Sequence, residues 1–173
     1  MKSTFSPATN SSSDGFTLIE LLVVMTVLGI LATMAIPSFK SLTQSQRVKN
    51  ASFELFSSLS LARNEAIKRN SNVTLTGTTN AKNEFSWVIS AGSTLIRTQS
   101  SITGVNMTVR NLGGMGLVYR RNGRAVNMDL TNFTGSPTFE IYASNTTAAA
   151  SPFVRCITIE LNGMPRVRQG RCT

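Results

Sequence analysis

The carboxylate of Glu20 is the group in this sequence that most needs a chemical explanation. It is the sole charged side chain in an apolar run that covers residues 16–39 and begins directly after Gly15. Burying a glutamate in hydrocarbon costs a few kcal/mol even on lenient scales, so we expect an opposite charge to meet it. Opposite charges attract strongly in a medium of low dielectric constant. The chemistry that this position indicates is therefore ion pairing, which can set the register between two chains.

Three arginines near the C-terminus form a second candidate site. Arg166, Arg168 and Arg171 follow Glu160, the last acidic residue of the chain. Arg166 and Arg168 would share one face of a strand, a spacing that could meet successive phosphates. Every basic residue after Lys82 is arginine, the better bidentate phosphate ligand. The alternatives are that these arginines solvate an exposed hairpin or face an acidic neighbouring protein. A formal net charge of +9 suits contact with nucleic acid, anionic headgroups or an acidic subunit, and it equally fits a surface that only keeps the domain soluble.

Enzymatic chemistry is not indicated. The chain has no histidine, which excludes a Cys/His metal site and the most frequent general base. The carboxylates after residue 50 are scattered, and no acid–base pair is recognisable among them. The glycines within residues 113–116 are not followed by Lys-Ser or Lys-Thr, so they predict a turn and not a phosphate loop. We therefore expect no catalytic residues, no metal and no cofactor.

A single long helix is expected to position Glu20. Residues 16–39 are long enough to cross a bilayer, at about 1.5 Å per residue against a hydrocarbon core of about 30 Å. Residues 40–70 place apolar side chains at mostly helical spacing with basic residues between them, which predicts one apolar face. Pro37 removes a backbone donor and is expected to kink or locally melt the helix. We predict one kinked helix from about Phe16 to Arg69, with a membrane half and an amphipathic half.

From Asn72 onward the periodicity changes to two, with β-branched and aromatic residues between turn signals. The predicted strands are 72–76, 85–90, 94–98, 106–110, 117–120, 138–143, 154–161 and 166–169. Gly77 is among the predicted turn residues. A helix followed by antiparallel strands predicts an α+β fold in which the helix packs on one or more antiparallel sheets.

The N-terminal segment resembles the class III signal of type IV pilins and type II secretion pseudopilins. The resembling residues are Gly15-Phe16-Thr17-Leu18-Ile19-Glu20-Leu21-Leu22. The resemblance implies that a prepilin peptidase cuts between Gly15 and Phe16, removes residues 1–15 as a leader and methylates the new N-terminus. It also implies that Glu20, then the fifth residue of the mature chain, pairs during assembly with the N-terminal ammonium of a neighbouring subunit.

The C-terminal half is similar to the GspH/FimT group of minor pilins and pseudopilins. The resembling stretches are Leu117-Val118-Tyr119-Arg120-Arg121-Asn122-Gly123-Arg124-Ala125 and Cys156-Ile157-Thr158-Ile159-Glu160-Leu161-Asn162-Gly163-Met164-Pro165-Arg166-Val167. In the FimT branch, a Gly-Arg-x-Arg motif in the C-terminal hairpin binds DNA during natural transformation. The corresponding residues here are Gly163-Met164-Pro165-Arg166, with Met164 in the place of the first arginine. DNA contact through Arg166, Arg168 and Arg171 is thus one alternative, and contact with an acidic partner is the other.

The resemblance implies a structural assembly protein of the bacterial inner membrane. It would pass the membrane once, at residues 16–39, and carry a β-rich head of residues 71–173 in the periplasm. In that oxidising compartment Cys156 and Cys172 are expected to form a disulfide. The implied partners are other pilins or pseudopilins, the prepilin peptidase and the inner membrane.

Two machines use a subunit of this kind. We expect a minor pilin of FimT/FimU type in a tip or priming complex of a type IV pilus. The alternative is an H-type pseudopilin that acts in protein secretion by the type II system.

Overall fold

The computed structural model describes residues 15–172. In chain order the elements are α1 (Leu18–Arg69), β1 (Val73–Thr79), β2 (Phe85–Ala91), β3 (Thr94–Ile102), β4 (Val105–Arg110), β5 (Gly116–Tyr119), β6 (Ala125–Val126), β7 (Thr138–Ala143), β8 (Arg155–Ile159) and β9 (Pro165–Gln169). The predicted α+β fold, one long N-terminal helix followed by antiparallel sheets, is confirmed.

Both ends of α1 follow from local chemistry. At its start, the hydroxyl oxygen of Thr17 accepts the backbone N–H of Glu20 at 3.3 Å, which is the bond of an N-cap. At its end, Asn70 adopts a left-handed conformation with φ 49°, and the N–H of Ser71 donates to the carbonyl of Ala66 at 3.2 Å. Asparagine tolerates this conformation and ends helices in this way. The helix therefore ends at the predicted residue, Arg69.

The chain divides at Lys40 into two units. In the first, the helix exposes large apolar side chains along its length, from Leu18 (82% exposed) to Ile36 (57%). This part of α1 is long and apolar enough to cross a membrane. Helical backbone continues through Pro37, so the expected local melting at that residue does not occur. A bend at Pro37 remains a prediction.

The second unit, from Ser41 onward, contains both sheets. A five-stranded antiparallel sheet has the order β3-β2-β1-β5-β6, and a four-stranded one has the order β4-β7-β8-β9. Strands β1 and β2 alternate buried and more exposed positions, the pattern of a sheet with one face on the core. The largest fully buried apolar side chains come from the helix and both sheets: Trp87, Tyr119, Phe139, Leu55, Leu59 and Ile157.

Eight of the nine strands coincide with predicted ones, and two details differ. Strand β6 has only two residues, too few to produce an alternating pattern. Gly77 is not a turn residue but lies inside β1. A Cβ at this position would come within 2.5 Å of the Phe85 ring and 2.7 Å of the Met115 carbonyl oxygen. A strand glycine can thus mark close approach instead of a turn.

Candidate assembly and contact surfaces

The predicted processing site lies just before the helix. Gly15 and Phe16 are exposed, and Phe16 shows 82% of its surface to solvent. Neither residue belongs to α1, which begins at Leu18. The Gly15–Phe16 bond is therefore in non-helical backbone, where a peptidase can reach it in extended form. Cleavage at this bond remains a prediction.

The first turn of α1 presents Glu20 to its surroundings. Thr17 caps the helix through the backbone N–H of Glu20, and the Glu20 side chain is exposed. An acidic group in the first turn interacts favourably with the helix dipole. Within residues 15–172, no lysine or arginine forms an ion pair with this carboxylate. Its charge is thus available to a group from outside the described part of the chain.

At the opposite end of the chain, a disulfide fixes the C-terminal tail to the four-stranded sheet. It joins Cys156 in β8 to Cys172, with a Cα–Cα distance of 5.2 Å. The two cysteines are 16 residues apart. Closing a loop of this length stabilises a fold by about 3 kcal/mol in the chain-entropy description. The structure therefore contains the disulfide that the two cysteines led us to expect.

The same tail covers a buried carboxylate, that of Glu140 in β7. The Glu140 side chain is completely buried, and its Oε1 accepts the backbone N–H of Cys172 at 2.8 Å. Arg171 Nε lies 3.8 Å from the same oxygen, and Arg110 Nη2 lies 3.8 Å from Oε2. A buried charge is tolerated when cations and hydrogen bonds compensate it. Glu140 therefore anchors the tail beside the disulfide.

Neither Glu140 nor Arg110 was expected from the sequence to belong to a site. The signal that could have found Glu140 is its place inside the apolar strand Thr138-Phe139-Glu140-Ile141-Tyr142-Ala143. Five of these six positions are buried, so a carboxylate among them requires a cation. The sequence does not show which cation, because Arg171 is far from Glu140 along the chain.

The three candidate arginines differ in how far their charge is compensated. Arg166 Nε pairs with Glu160 Oε1 at 2.8 Å, and Arg171 lies beside Glu140. Arg168 forms no ion pair with any described residue. Arg166 and Arg168 are opposite Thr158 and Cys156 in β8 and so lie on the same face of the sheet. Of the three, Arg168 is the one whose charge this chain leaves uncompensated.

Two turns with the same local chemistry lie at the ends of the β5–β6 and β8–β9 hairpins. In the first, Gly123 N–H donates to Arg120 O at 2.7 Å, and Arg124 N–H donates to Asn122 Oδ1 at 3.1 Å. In the second, Gly163 N–H donates to Glu160 O at 2.8 Å, and Met164 N–H donates to Asn162 Oδ1 at 2.9 Å. Both glycines have positive φ, 78° and 83°. Asn-Gly sequences favour such turns.

These paired turns, residues 120–124 and 160–164, contact each other and the helix. The backbone of Gly163 packs directly on the carbonyl of Gly123. From α1, Arg63 Nε donates to Gly123 O at 3.1 Å, and its Nη2 donates to Asn162 O at 3.5 Å. One helical side chain therefore joins a turn of each sheet. Neither Arg63 nor this junction was identified from the sequence.

Two ionisable groups of the head have a pKa that their surroundings shift. Burial raises the pKa of the Tyr119 hydroxyl, an effect that Arg63 partly opposes. The Thr131 hydroxyl, which donates to Asp129 at 2.6 Å, holds the pKa of that exposed carboxyl below its usual value. Across the described residues, no group of three or more Cys, Asp or Glu side chains is placed to hold a metal ion.

We expect the Glu140→Gln substitution to lower the free energy of unfolding by about 1–3 kcal/mol, the range for weakening a charged, buried hydrogen bond. The amide keeps the volume but loses the attraction to Arg110 and Arg171. Denaturant unfolding followed by the fluorescence of the single, buried Trp87 measures the change.

The matched control is Glu54→Gln, which weakens an ion pair with Arg97 at the surface, where both side chains are partly exposed. Exposed pairs contribute about 0–1 kcal/mol, so this variant should unfold almost like the wild type. Equal effects of the two substitutions would show that Glu140 does not anchor the tail.

Comparison with known families and structures gives consistent matches. The family described as Type II transport protein GspH matches residues 51–163, and the Prokaryotic N-terminal methylation motif matches residues 10–36. No curated protein sequence matches the chain.

Two solved structures are similar in fold. The type IV minor pilin FimU of Pseudomonas aeruginosa PAO1 has a TM-score of 0.54 at 18% identity, covering 75% of this chain and 92% of that one. The minor pseudopilin EpsH of the Vibrio cholerae type II secretion system has a TM-score of 0.53 at 13% identity, covering 75% and 99%. At these identities the similarity concerns the fold alone.

Proposed function

Because this chain belongs to the GspH family, whose pattern covers residues 51–163, we propose that it is a minor pilin that assembles into a tip or priming complex of a type IV pilus. It is a protein of the minor pilin and pseudopilin class. The observation that carries the proposal is the combination of an N-terminal methylation motif with an exposed apolar helix and a pilin-like head.

Processing is the first step of the proposed function. The prepilin peptidase cleaves between Gly15 and Phe16, releases residues 1–15 and methylates the amino group of Phe16. Residues 16–39 then hold the chain in the inner membrane, and residues 40–70 continue as the amphipathic part of α1. The head, residues 71–173, lies in the periplasm. The exposure of Phe16 and the apolar surface of α1 support this order of segments.

Assembly through Glu20 is the second step. Its carboxylate has no cationic partner among the described residues of its own chain, and it lies in an apolar helix where an unpaired charge is costly. The methylated ammonium of a neighbouring subunit supplies the opposite charge. A subunit at the extreme tip would have no such neighbour above it, so the retained Glu20 favours a position beneath another subunit. Pro37 contributes to assembly by allowing the helix to bend.

The second candidate function is that of an H-type pseudopilin in type II secretion. The family description, Type II transport protein GspH, favours it, and the fold is as similar to the pseudopilin EpsH as to the pilin FimU. Both functions use the same processing and the same helix. They differ in the machine that receives the subunit.

A deletion strain, assayed for surface pili and for secreted exoenzymes in the same cultures, distinguishes the two candidates. We expect loss of pili with normal secretion, because we propose that the chain primes pilus assembly. Complementation with the wild-type chain is the control. Loss of secretion with normal pili would overturn the pilus proposal in favour of the pseudopilin.

The basic C-terminal face is the name used here for Arg166, Arg168 and Arg171. We propose that it contacts either DNA or an acidic subunit. Since Arg166 and Arg171 lie beside carboxylates, we expect the full-length chain in detergent to shift duplex DNA only at low salt. Each phosphate contact contributes a slope of about −0.9 to the salt dependence of the logarithm of the affinity.

For this face, Glu160→Gln should strengthen the DNA shift by releasing Arg166, and Arg168→Gln should weaken it. The matched control is Arg97→Gln, which removes the same charge from the other sheet. A shift that is unchanged when Arg166, Arg168 and Arg171 all become Gln would exclude DNA contact through this face.

A further inference from the structure

An open groove runs between one flank of α1 and strand β9. Its wider part, about 480 Å³, is lined by Lys49, Phe53 and Phe56 of the helix and by Arg155 and Val167 of the sheet. A second part, about 180 Å³, lies between the helix and Met164 with Pro165. Both parts lie between the helix and the β9 side of the four-stranded sheet, and the two together are called the groove here.

The groove is bordered by the free edge of strand β9. Strand β9 is the last strand of its sheet and pairs only with β8 among the described residues. Bonds from Glu160 N–H to Met164 O and from Gly170 N–H to Val154 O show which residues of β9 direct their backbone groups toward β8 and which direct them away from it. The backbone N–H and C=O groups of Val167 and Gln169 therefore point away from β8. An extended segment can bond to such groups.

The walls of the groove are apolar and basic. Phe53 exposes 66% of its surface and Met164 exposes 50%, although the opposite face of the helix is well buried in the core. Lys49 and Arg155 supply positive charge, and no acidic residue lines either part. The other flank of α1 differs, because Glu54 there pairs with Arg97 of β3. The flank beside β9 thus presents cations without an acidic residue, whereas the other flank includes the acidic Glu54.

We infer that this groove binds an extended polypeptide segment of another subunit, with carboxylates next to an apolar side chain. The segment adds a strand to β9 through Val167 and Gln169. Its apolar side chain covers Phe53, and its carboxylates meet Lys49 and Arg155. Pro165 lacks an N–H and limits the pairing to the C-terminal part of the strand. The inference rests on the proposed function, because assembly into a filament is what brings a second subunit to the groove.

Photo-crosslinking in the full-length chain tests the inference in cells. p-Benzoylphenylalanine replaces Phe53 in one strain and Leu95 in the control strain. Leu95 is exposed to a similar extent, 62%, but lies on β3 of the other sheet. We expect a discrete adduct from position 53 and none from position 95. Peptide mapping should place the crosslink in a segment of another subunit that contains Asp or Glu.

Variants that reverse the charge of the groove or remove a backbone N–H from the edge of β9 complete the test. Lys49→Glu combined with Arg155→Glu should lower the adduct yield at least tenfold, and Val167→Pro should do so by removing an edge N–H. An adduct with a second copy of this chain, a nuclease-sensitive adduct, an equal adduct from position 95 or a yield unaffected by the charge reversal would each overturn the inference.

Filaments sheared from the same cells keep the two proposals separate. Wild-type incorporation without an adduct at position 53 would overturn the groove and leave the proposed function standing. A specific adduct from a chain that never enters filaments would support the groove and overturn the proposed function.

Discussion

We expect the replacement of Glu20 with alanine to leave cleavage intact but to remove most of the chain from filaments. In the proposed function the peptidase cuts the Gly15–Phe16 bond, outside the helix, and this cleavage does not need the carboxylate. Assembly does need the carboxylate, because Glu20→Ala leaves the ammonium of the neighbouring subunit unpaired in an apolar medium. Breaking such a pair costs about 3–5 kcal/mol, and about 1.4 kcal/mol corresponds to a factor of ten. We therefore expect at least a tenfold decrease, measured by quantitative immunoblotting of sheared filaments against membranes.

Two further variants show whether the charge is the cause. Glu20→Gln keeps the size of the side chain and should be excluded like the alanine variant. Thr26→Ala changes a neighbouring turn of the same helix by removing a hydroxyl that bonds only to Val23 O, and it should enter filaments normally. Wild-type incorporation of Glu20→Ala would contradict assembly by ion pairing.

The Gly163→Ala substitution is expected to have the largest effect on the stability of the head. Gly163 has φ 83°, a conformation that costs an alanine about 1–2 kcal/mol. Its new Cβ would also overlap the carbonyl oxygen of Gly123, so the paired turns would have to separate. Their separation removes the bonds that Arg63 makes to both turns. We expect a total loss of about 3–5 kcal/mol in the free energy of unfolding, measured by Trp87 fluorescence in denaturant.

The Gly170→Ala substitution separates the two contributions. Gly170 also has a positive φ, 97°, but a Cβ there would meet nothing within 4 Å. It should show the conformational cost alone. If both substitutions destabilised the head equally, the contact between the paired turns would contribute nothing to the fold.

The parts that could be predicted from the sequence depend on neighbouring residues. The Gly15-to-Leu22 motif, the end of α1 and most strands were recognisable because caps, alternation and turn chemistry act over a few positions. The alternation of apolar and polar residues did not reveal β6, because this strand has only two residues. It also gave no warning that Gly77 continues a strand, since the Phe85 ring that requires this glycine comes from the next strand.

The parts that were missed depend on contacts between distant residues. The buried carboxylate of Glu140 accepts a hydrogen bond from Cys172, 32 residues away. Arg63 bonds to Gly123, 60 residues away. In the sequence, Arg166 and Arg171 are indistinguishable from free charges, because nothing local shows that Glu160 and Glu140 lie beside them. Residue type and spacing thus identified the basic face but not how far its charge is compensated.

The intact mass of the chain recovered from sheared surface filaments tests the central claim most directly. We predict the mass of residues 16–173 with one added methyl group on Phe16 and two hydrogens fewer for the Cys156–Cys172 disulfide. Fragmentation would locate the methyl group on the amino nitrogen. A chain that retains residues 1–15, or that is present in membranes but never in filaments, would contradict the account.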